Sequence, residues 1–258
     1  MTEPLEGVVL PGLPAGFDLV AFDDIGSTNT EAVRRAEAGA PDGLLVWAKS
    51  QNAGRGRRGR TFFSPPGNTY SSVVLRPNCG PAEAAQISFV TAIAVVDAAR
   101  SVLPDPAAVT CKWPNDVLIL GQKVSGISLE SRSRQDGLVD WVVLGVGINV
   151  QTHPENLDIP ITSLHAEGAT ATVEDVLLAY IKALDHWLSV WWEQGFAAIR
   201  AAWLDRADGL GTDIQVRLAD RTYQGRFESL DEDGALILLE PDGNRRRVTA
   251  GDVFRPAG

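Results

Sequence analysis

Two cysteines, three histidines and a single methionine in 258 residues leave few soft metal ligands and few thiol nucleophiles. Cys79 and Cys111 form no CxxC pair, so neither a disulfide framework nor a zinc knuckle is indicated, and a reducing cytoplasm fits. His153, His165 and His186 are scattered, none at a metal-ligand spacing, and no Ser/His/Asp or Cys/His set suggests a nucleophile. The stretch MTEPLEGVVLPGLPAG has acids and prolines where a signal peptide would have a basic segment and an apolar run, so export is not expected. No apolar run approaches the roughly 18 residues of a membrane span, and the longest, WVVLGVGINV at 141–150, reads as a buried strand and its exit. Excess positive charge is missing too. Lys and Arg number 23 against 33 Asp and Glu, a net charge of -10, which argues against non-specific attachment to nucleic acid or to an anionic membrane.

What is present is a core-forming composition, 45% hydrophobic, enough for one large domain or a domain with a small companion. Alternating apolar runs and helical periods predict a mixed α/β domain. FDLVAFD (17–23) reads as a strand and STNTEAVRRAEAG (27–39) as a short helix, with Thr28 and Glu31 spaced as a capping box. LLVWAKS (44–50) and NTYSSVVLR (68–76) are strands around an exposed loop, and a helix without internal Gly or Pro is expected from about Ala82 to Ser101. AVTCKW, KVSGISLE and WVVLGVGIN complete the sheet. Leu177, Ile181, Leu184, Leu188 and Trp191 step along an amphipathic helix over 172–194, whose tryptophans are assigned to the core. After Gly209-Leu-Gly211 the texture changes to short strands separated by AD, DEDG and PDG turns, the pattern of a small antiparallel barrel. The boundary is placed at 209/210.

Against this acidic background, QNAGRGRRGR (51–60) puts four arginines into seven residues. GRGRRG satisfies G-x-G-x-x-G, but TFFSPPGN follows, and its prolines and glycine forbid the helix that a dinucleotide fingerprint must open. No P-loop pattern is present. Four guanidiniums within a Debye length of about 8 Å repel one another, which predicts a loop that stays mobile until an anion neutralises it. Guanidinium forks suit phosphate oxygens, at roughly 1.5 to 3 kcal/mol for each charge-assisted bond. On these residues alone a small phosphate ligand and RNA stand equal. A second cluster, Arg245-Arg246-Arg247, is read as a solvated face that protects an edge strand.

CKWPNDVLI (111–119) ends an apolar strand on Lys112, Trp113, Pro114, Asn115 and Asp116. The turn presents Asp116 at a strand end, where ligands bind in α/β sheets, although a hairpin merely closed by Asn115 and Asp116 is the plainer reading. Lys123 opens KVSGISLE, with Ser125 and Gly126 leaving room beside it.

DIGSTN (24–29), QNAGRGRRGR, KWPNDV, KVSGISLE and GVGINV (145–150) stand in the order and spacing of the biotin protein ligases, which the chain resembles over most of residues 20–150. The resemblance implies a class II synthetase-like α/β (α+β) catalytic domain at 1–209, with a mixed sheet and flanking helices, and a C-terminal SH3-like β-barrel at 210–258. The first motif begins at Asp24, so the similarity is to the short type without a DNA-binding domain, and no specific DNA binding is expected.

The implied reaction joins biotin and MgATP into biotinyl-5′-AMP and passes biotin to a lysine of a biotin carboxyl carrier domain of a carboxylase. The resemblance assigns biotin contacts to Ser27, Thr28, Asn29, Gln51, Arg55, Gly56, Arg57, Lys123 and Gly126. It assigns ATP or adenylate contacts to Gly54, Arg55, Arg58, Arg60, Lys112, Asn115, Asp116, Lys123, Gly145, Gly147 and Asn149. Lys123, Arg57 and Asp116 are the implied catalytic residues, Asp116 also as the Mg²⁺ ligand. The chain departs from the family pattern at Phe62, where a tryptophan is usual, and at Val124, Ser125 and Ser128. Of these, Ser125 adds a hydroxyl near the implied biotin tail. A lipoate or octanoate ligase of the same fold and a nucleic-acid-binding protein using the Arg-Gly loop are the alternatives, and a homodimer is left open.

Overall fold

The computed structural model describes residues 3–56, 62–155, 159–218 and 220–254. Arg57, Arg58 and Arg60 lie outside these residues. The chain runs β1 (Asp18–Ile25), α1 (Thr28–Glu37), β2 (Leu44–Gln51), β3 (Thr69–Leu75), α2 (Pro81–Ala85), α3 (Ile87–Val102), β4 (Val109–Lys112), β5 (Asp116–Ile119), β6 (Gln122–Ser133) and β7 (Val139–Ile148). Helices α4 (Val173–Gln194) and α5 (Phe196–Asp205) lead to β8 (Asp213–Arg217), β9 (Thr222–Leu230), β10 (Leu236–Leu239), β11 (Arg245–Val248) and β12 (Asp252–Phe254).

The larger sheet is mixed, in the order β1-β2-β3-β7-β6-β5-β4, with β1 and β2 parallel and the remaining neighbours antiparallel. Its central strands are buried on both faces, which is why LLVWA reads as a continuous apolar run. Leu44, Val46 and Ala48 pack with Ala32 and Ala36 of α1, while Leu45 and Trp47 join the core under α3 and α4. That second core continues into the smaller sheet, ordered β11-β10-β9-β8-β12, through Ile214, Val216, Phe227 and Leu236. Trp113 Nε1 donates to Gly234 O at 3.1 Å, fastening the β4–β5 turn to the turn before β10.

Several expectations change. The expected capping box at Thr28 and Glu31 is absent: Ser27 is the N-cap without a side-chain bond, and Glu31 is engaged by Arg34 and Arg35. The reciprocal pair occurs instead on α4, between Thr172 and Asp175. The helix expected over 82–101 is interrupted at Gln86, where an i→i−3 bond from Gln86 N to Glu83 O tightens the turn. By length and composition Pro81–Val102 could cross a bilayer, contrary to the sequence reading, but it is mostly buried under the sheet and α4, as a core helix is. Residues 116–119 form a strand of their own: β4 and β5 pair as a hairpin, with Lys112 opposite Asp116, but Asp116 does more than close it, since its carboxylate meets Lys123. Trp191 is buried as expected, but Trp192 is 55% exposed. Arg245–Arg247 do lie on an edge strand, yet they are not simply solvated: each is paired, with Glu228, Glu240, and Asp231 and Asp233 respectively.

Candidate active site

The sheet face that carries α1 changes character along its strands. On β7, Trp141 and Val143 belong to the α1 core, and the next residues on the same face are Gly145 and Gly147. On β3 the same progression runs from Val74 to Ser72 and Tyr70, whose register partners are Val143, Gly145 and Gly147. Beyond the apolar half lies a cleft of about 1270 Å³.

Gly145, Gly147 and Gly126 form part of its floor. A Cβ on Gly145 would lie 2.0 Å from Asn29 Oδ1 and 2.6 Å from Ser128 Oγ, and one on Gly147 would lie 2.5 Å from the Phe62 ring. Glycine is required here by close approach rather than by backbone conformation. The Phe62 ring covers this floor and meets Tyr70 edge-on at 6.4 Å. Burial pushes the Tyr70 phenol up to about 12. Its hydroxyl donates to Pro65 O, so it is a neutral wall group rather than an acid or base.

A polar chain crosses the α1 end of the cleft. Ser64 Oγ donates to Phe62 O and accepts from Gln51 Nε2, and Gln51 Oε1 accepts from both Thr28 N and Thr28 Oγ1. Ser72 Oγ bonds both Thr28 Oγ1 and Asn29 Oδ1, while Asn29 Nδ2 donates to Ser128 Oγ and Glu130 Oε1. This explains why Thr28 caps nothing: its hydroxyl is used by the sheet.

Opposite this chain, Lys123 Nζ stands 2.6 Å from Asp116 Oδ1, both side chains about four-fifths buried, at 23% and 20% exposure. At that distance the ammonium and the carboxylate neutralise each other inside the cleft. From the second sheet, Phe254 reaches the mouth of the cleft with Arg217 at 4.5 Å and Lys112 at 5.5 Å from its ring. Four cations of the described residues line the cleft, Arg55, Lys112, Lys123 and Arg217, in a chain whose net charge is -10.

The structure therefore gathers Ser27, Thr28, Asn29, Gln51, Arg55, Gly56, Lys112, Asn115, Asp116, Lys123, Gly126, Gly145, Gly147 and Asn149 around one cleft. Gly54 does not line it: a Cβ there would lie 2.3 Å from Phe62 O, so this glycine closes the base of the loop. Two amides face other duties than a ligand. Asn115 Nδ2 donates to Ile127 O, and Asn149 Nδ2 donates to Thr162 O. Ser125 pairs with Ile148 and lines the cleft, its Oγ buried with no hydrogen-bond partner among the described residues. Sequence reasoning missed Ser72, Arg217, Asp252 and Phe254 as lining or network residues. An isolated serine on a strand and a distant cation carry no local signal.

Both thiols are pushed up by burial, Cys79 to about 11 and Cys111 further, which disfavours the thiolate form.

Residues 21–149 match the Biotin/lipoate A/B protein ligase family, and residues 209–255 match the Biotin protein ligase C terminal domain. The chain is 41% identical over 234 residues to a biotin--[acetyl-CoA-carboxylase] ligase of Paracoccus denitrificans, covering 88% of this chain and 96% of that one. The chain belongs to the biotin/lipoate protein ligase family. Its fold is that of a solved family member, the biotin protein ligase from Aquifex aeolicus in complex with biotin and ATP, with a TM-score of 0.77, 26% identity, and coverage of 92% of this chain and 97% of that one. The Leishmania major biotin protein ligase in complex with biotinyl-5-AMP is also similar, with a TM-score of 0.65 at 26% identity, covering 92% of this chain and 100% of that one. The glycine floor, the Lys123–Asp116 pair and the polar chain from Gln51 to Asn29 all lie within residues 21–149.

Proposed function

We propose that this ligase uses ATP to activate biotin and transfers it to a lysine of a biotin carboxyl carrier domain. The observation that carries the reading is Lys123: a fixed ammonium over a glycine floor, in a cleft that gathers all five family motifs. In the first step a biotin carboxylate oxygen attacks the α-phosphorus of ATP, a C–O–P anhydride forms, and the α–β bridge breaks to release pyrophosphate. Two anions must meet, so positioned cations lower the barrier. Lys123 stands between carboxylate and α-phosphate in this reading, and Lys112, Arg55 and Arg217, which line the same cleft, would supply further positive charge to the polyphosphate. In the second step the carrier lysine amine attacks the carbonyl carbon, an amide forms, and AMP leaves with the bonding pair. Ser27 and the Thr28–Asn29–Gln51 chain offer hydroxyl and amide groups to the ureido ring.

The resemblance implies Mg²⁺. Among the described residues no three His, Cys, Asp or Glu side chains cluster as metal ligands. Magnesium, however, takes one or two carboxylates and completes its shell with phosphate oxygens and water. Asp116, a largely buried carboxylate lining the cleft with its Oδ1 against the Lys123 ammonium, supplies the single carboxylate that requirement asks for. It would hold the ion, which supplies charge neutralisation at the phosphates. Two further parts of the proposal follow the same lines. The five short strands from Asp213 to Phe254 are read as an SH3-like barrel of a second domain at 210–258, a division supported by the C-terminal domain match at 209–255. A cytoplasmic location is consistent with ATP as co-substrate and with two unpaired buried cysteines.

Incubation with biotin, MgATP and a carrier domain, read by mass spectrometry, tests the function. The expected result is one biotin adduct on one lysine. An adduct from lipoate or octanoate but none from biotin overturns it.

A further inference from the structure

Lys123 reaches the cleft through an irregularity in β6. Val117 pairs with Ser125 but Leu118 pairs with Lys123, so Val124 is an extra residue, a β-bulge. In a regular strand residues 123 and 126 would point to opposite faces. Here Lys123 Nζ lies 3.3 Å from the position a Gly126 Cβ would take, so the two share a face. The bulge aims the lysine.

The bulged residues are held on the other edge of β6, at and beyond the end of β7. Lys123 N donates to Pro160 O at 2.9 Å, Lys123 O accepts from Thr162 N at 3.0 Å, and Val124 O accepts from Asn149 N at 2.8 Å. Segment 160–162 belongs to no named strand and meets β6 in one isolated bridge, Lys123 with Ile161. Something must hold that segment for it to hold Lys123. Thr162, 2% exposed, donates its hydroxyl to Glu167 Oε1 at 2.5 Å, and its carbonyl accepts from Asn149 Nδ2 at 2.9 Å. Glu167 in turn sits on a turn closed by its own N–H to Ser163 O and Leu164 O. A hydroxyl donated to a carboxylate is among the shorter and stronger hydrogen bonds.

We propose that Thr162 and Glu167 are positioning residues for Lys123: their bond fixes segment 160–162, whose two backbone bonds fix the bulge that sets the ammonium. The inference rests on the ligase reading, in which Lys123 faces the biotin carboxylate. Neither residue lies in the five motifs.

The test compares biotin with biotinol, its analogue carrying a hydroxymethyl group in place of the carboxylate, by titration calorimetry on wild type, Thr162→Val, Thr162→Ser and Glu167→Gln, together with adenylate formation. Because a misplacement near 1 Å can cost up to about a hundredfold, Thr162→Val should lower kcat for adenylate formation by about tenfold. Biotin affinity should fall by a smaller factor, about threefold, while biotinol affinity is unchanged. Thr162→Ser, which keeps the hydroxyl, should restore both values. Glu167→Gln, which keeps an acceptor for the hydroxyl but removes its charge, should give the same pattern at a smaller size, a few-fold loss of kcat with biotinol affinity unchanged, and serves should Thr162→Val fail to fold. Equal weakening of biotin and biotinol, or failure of Ser to rescue, means a general structural role and overturns the proposal. If wild type binds neither compound, the ligase reading itself fails; if it binds both and the variants behave as wild type, only the positioning role does.

Discussion

The two halves of the α1-facing sheet surface are built by the same strands to opposite ends. Under the body of α1, Trp141, Val143 and Val74 fill the space between helix and sheet. Two residues further along the same strands, glycine and serine replace them, and Thr28 and Asn29, at the N-terminus of α1, meet hydroxyls and a carboxamide instead of apolar side chains. In one half a missing methyl group leaves a void; in the other an added methyl group fills a place that another atom already holds. Stability and chemistry should therefore respond to substitutions of opposite sense.

The largest effect is expected in the cleft half. Lys123→Ala removes the ammonium that faces Asp116 and should abolish biotin-dependent pyrophosphate release; ordinary release in this variant would sink the assignment of Lys123. Gly145→Ala puts a methyl group 2.0 Å from Asn29 Oδ1 and must push the Asn29 amide off Ser72 and Ser128. Adenylate formation should fall by about a hundredfold, since misplacement of this order costs about that much. Pyrophosphate exchange measures it. A near-normal rate would show that the packed glycine floor is not needed for the reaction. Asp116→Asn removes the carboxylate paired with Lys123. Calorimetry with neither nucleotide nor metal present should then find biotin bound more tightly, by up to about fivefold, given that removing one competing charge is a matter of about 1 kcal/mol. Weaker binding would mean that the pair helps rather than competes.

How much of this was legible beforehand follows from range. The sheet strands, the amphipathic α4 and the change of texture near 210 show in local periodicity, and the motif residues could be placed in one cleft because each motif lies at the start or the end of a strand. The pattern 141–147 announces a buried strand, yet its switch from Trp141 and Val143 to two glycines acquires meaning only once α1 is laid across it. Thr28 could not be assigned between cap and network because its competing partners, Gln51 and Ser72, are 23 and 44 residues away. The Lys123 bulge likewise depends on partners at Asn149, Pro160 and Thr162. Arg217 and Phe254 come to the cleft from another sheet, a juxtaposition that no local pattern encodes.

The smallest effect on activity is expected in the apolar half. Val143 is fully buried between α1 and the sheet, so Val143→Ala deletes two methyl groups in a place that cannot collapse around a rigid strand. The loss should be about 2 kcal/mol, or a fall in Tm of several degrees for a chain of this size. Below the new Tm, biotin affinity and the rate of adenylate formation should stay within about twofold of wild type, because sites without shared partners act nearly independently. Val143 and Gly145 are two residues apart on one strand, which makes this a demanding case for independence. If Val143→Ala lowers adenylate formation as Gly145→Ala does, the face is one mechanical unit and the two halves cannot be separated. If only Tm moves, the pleat keeps packing and chemistry apart at a spacing of two residues.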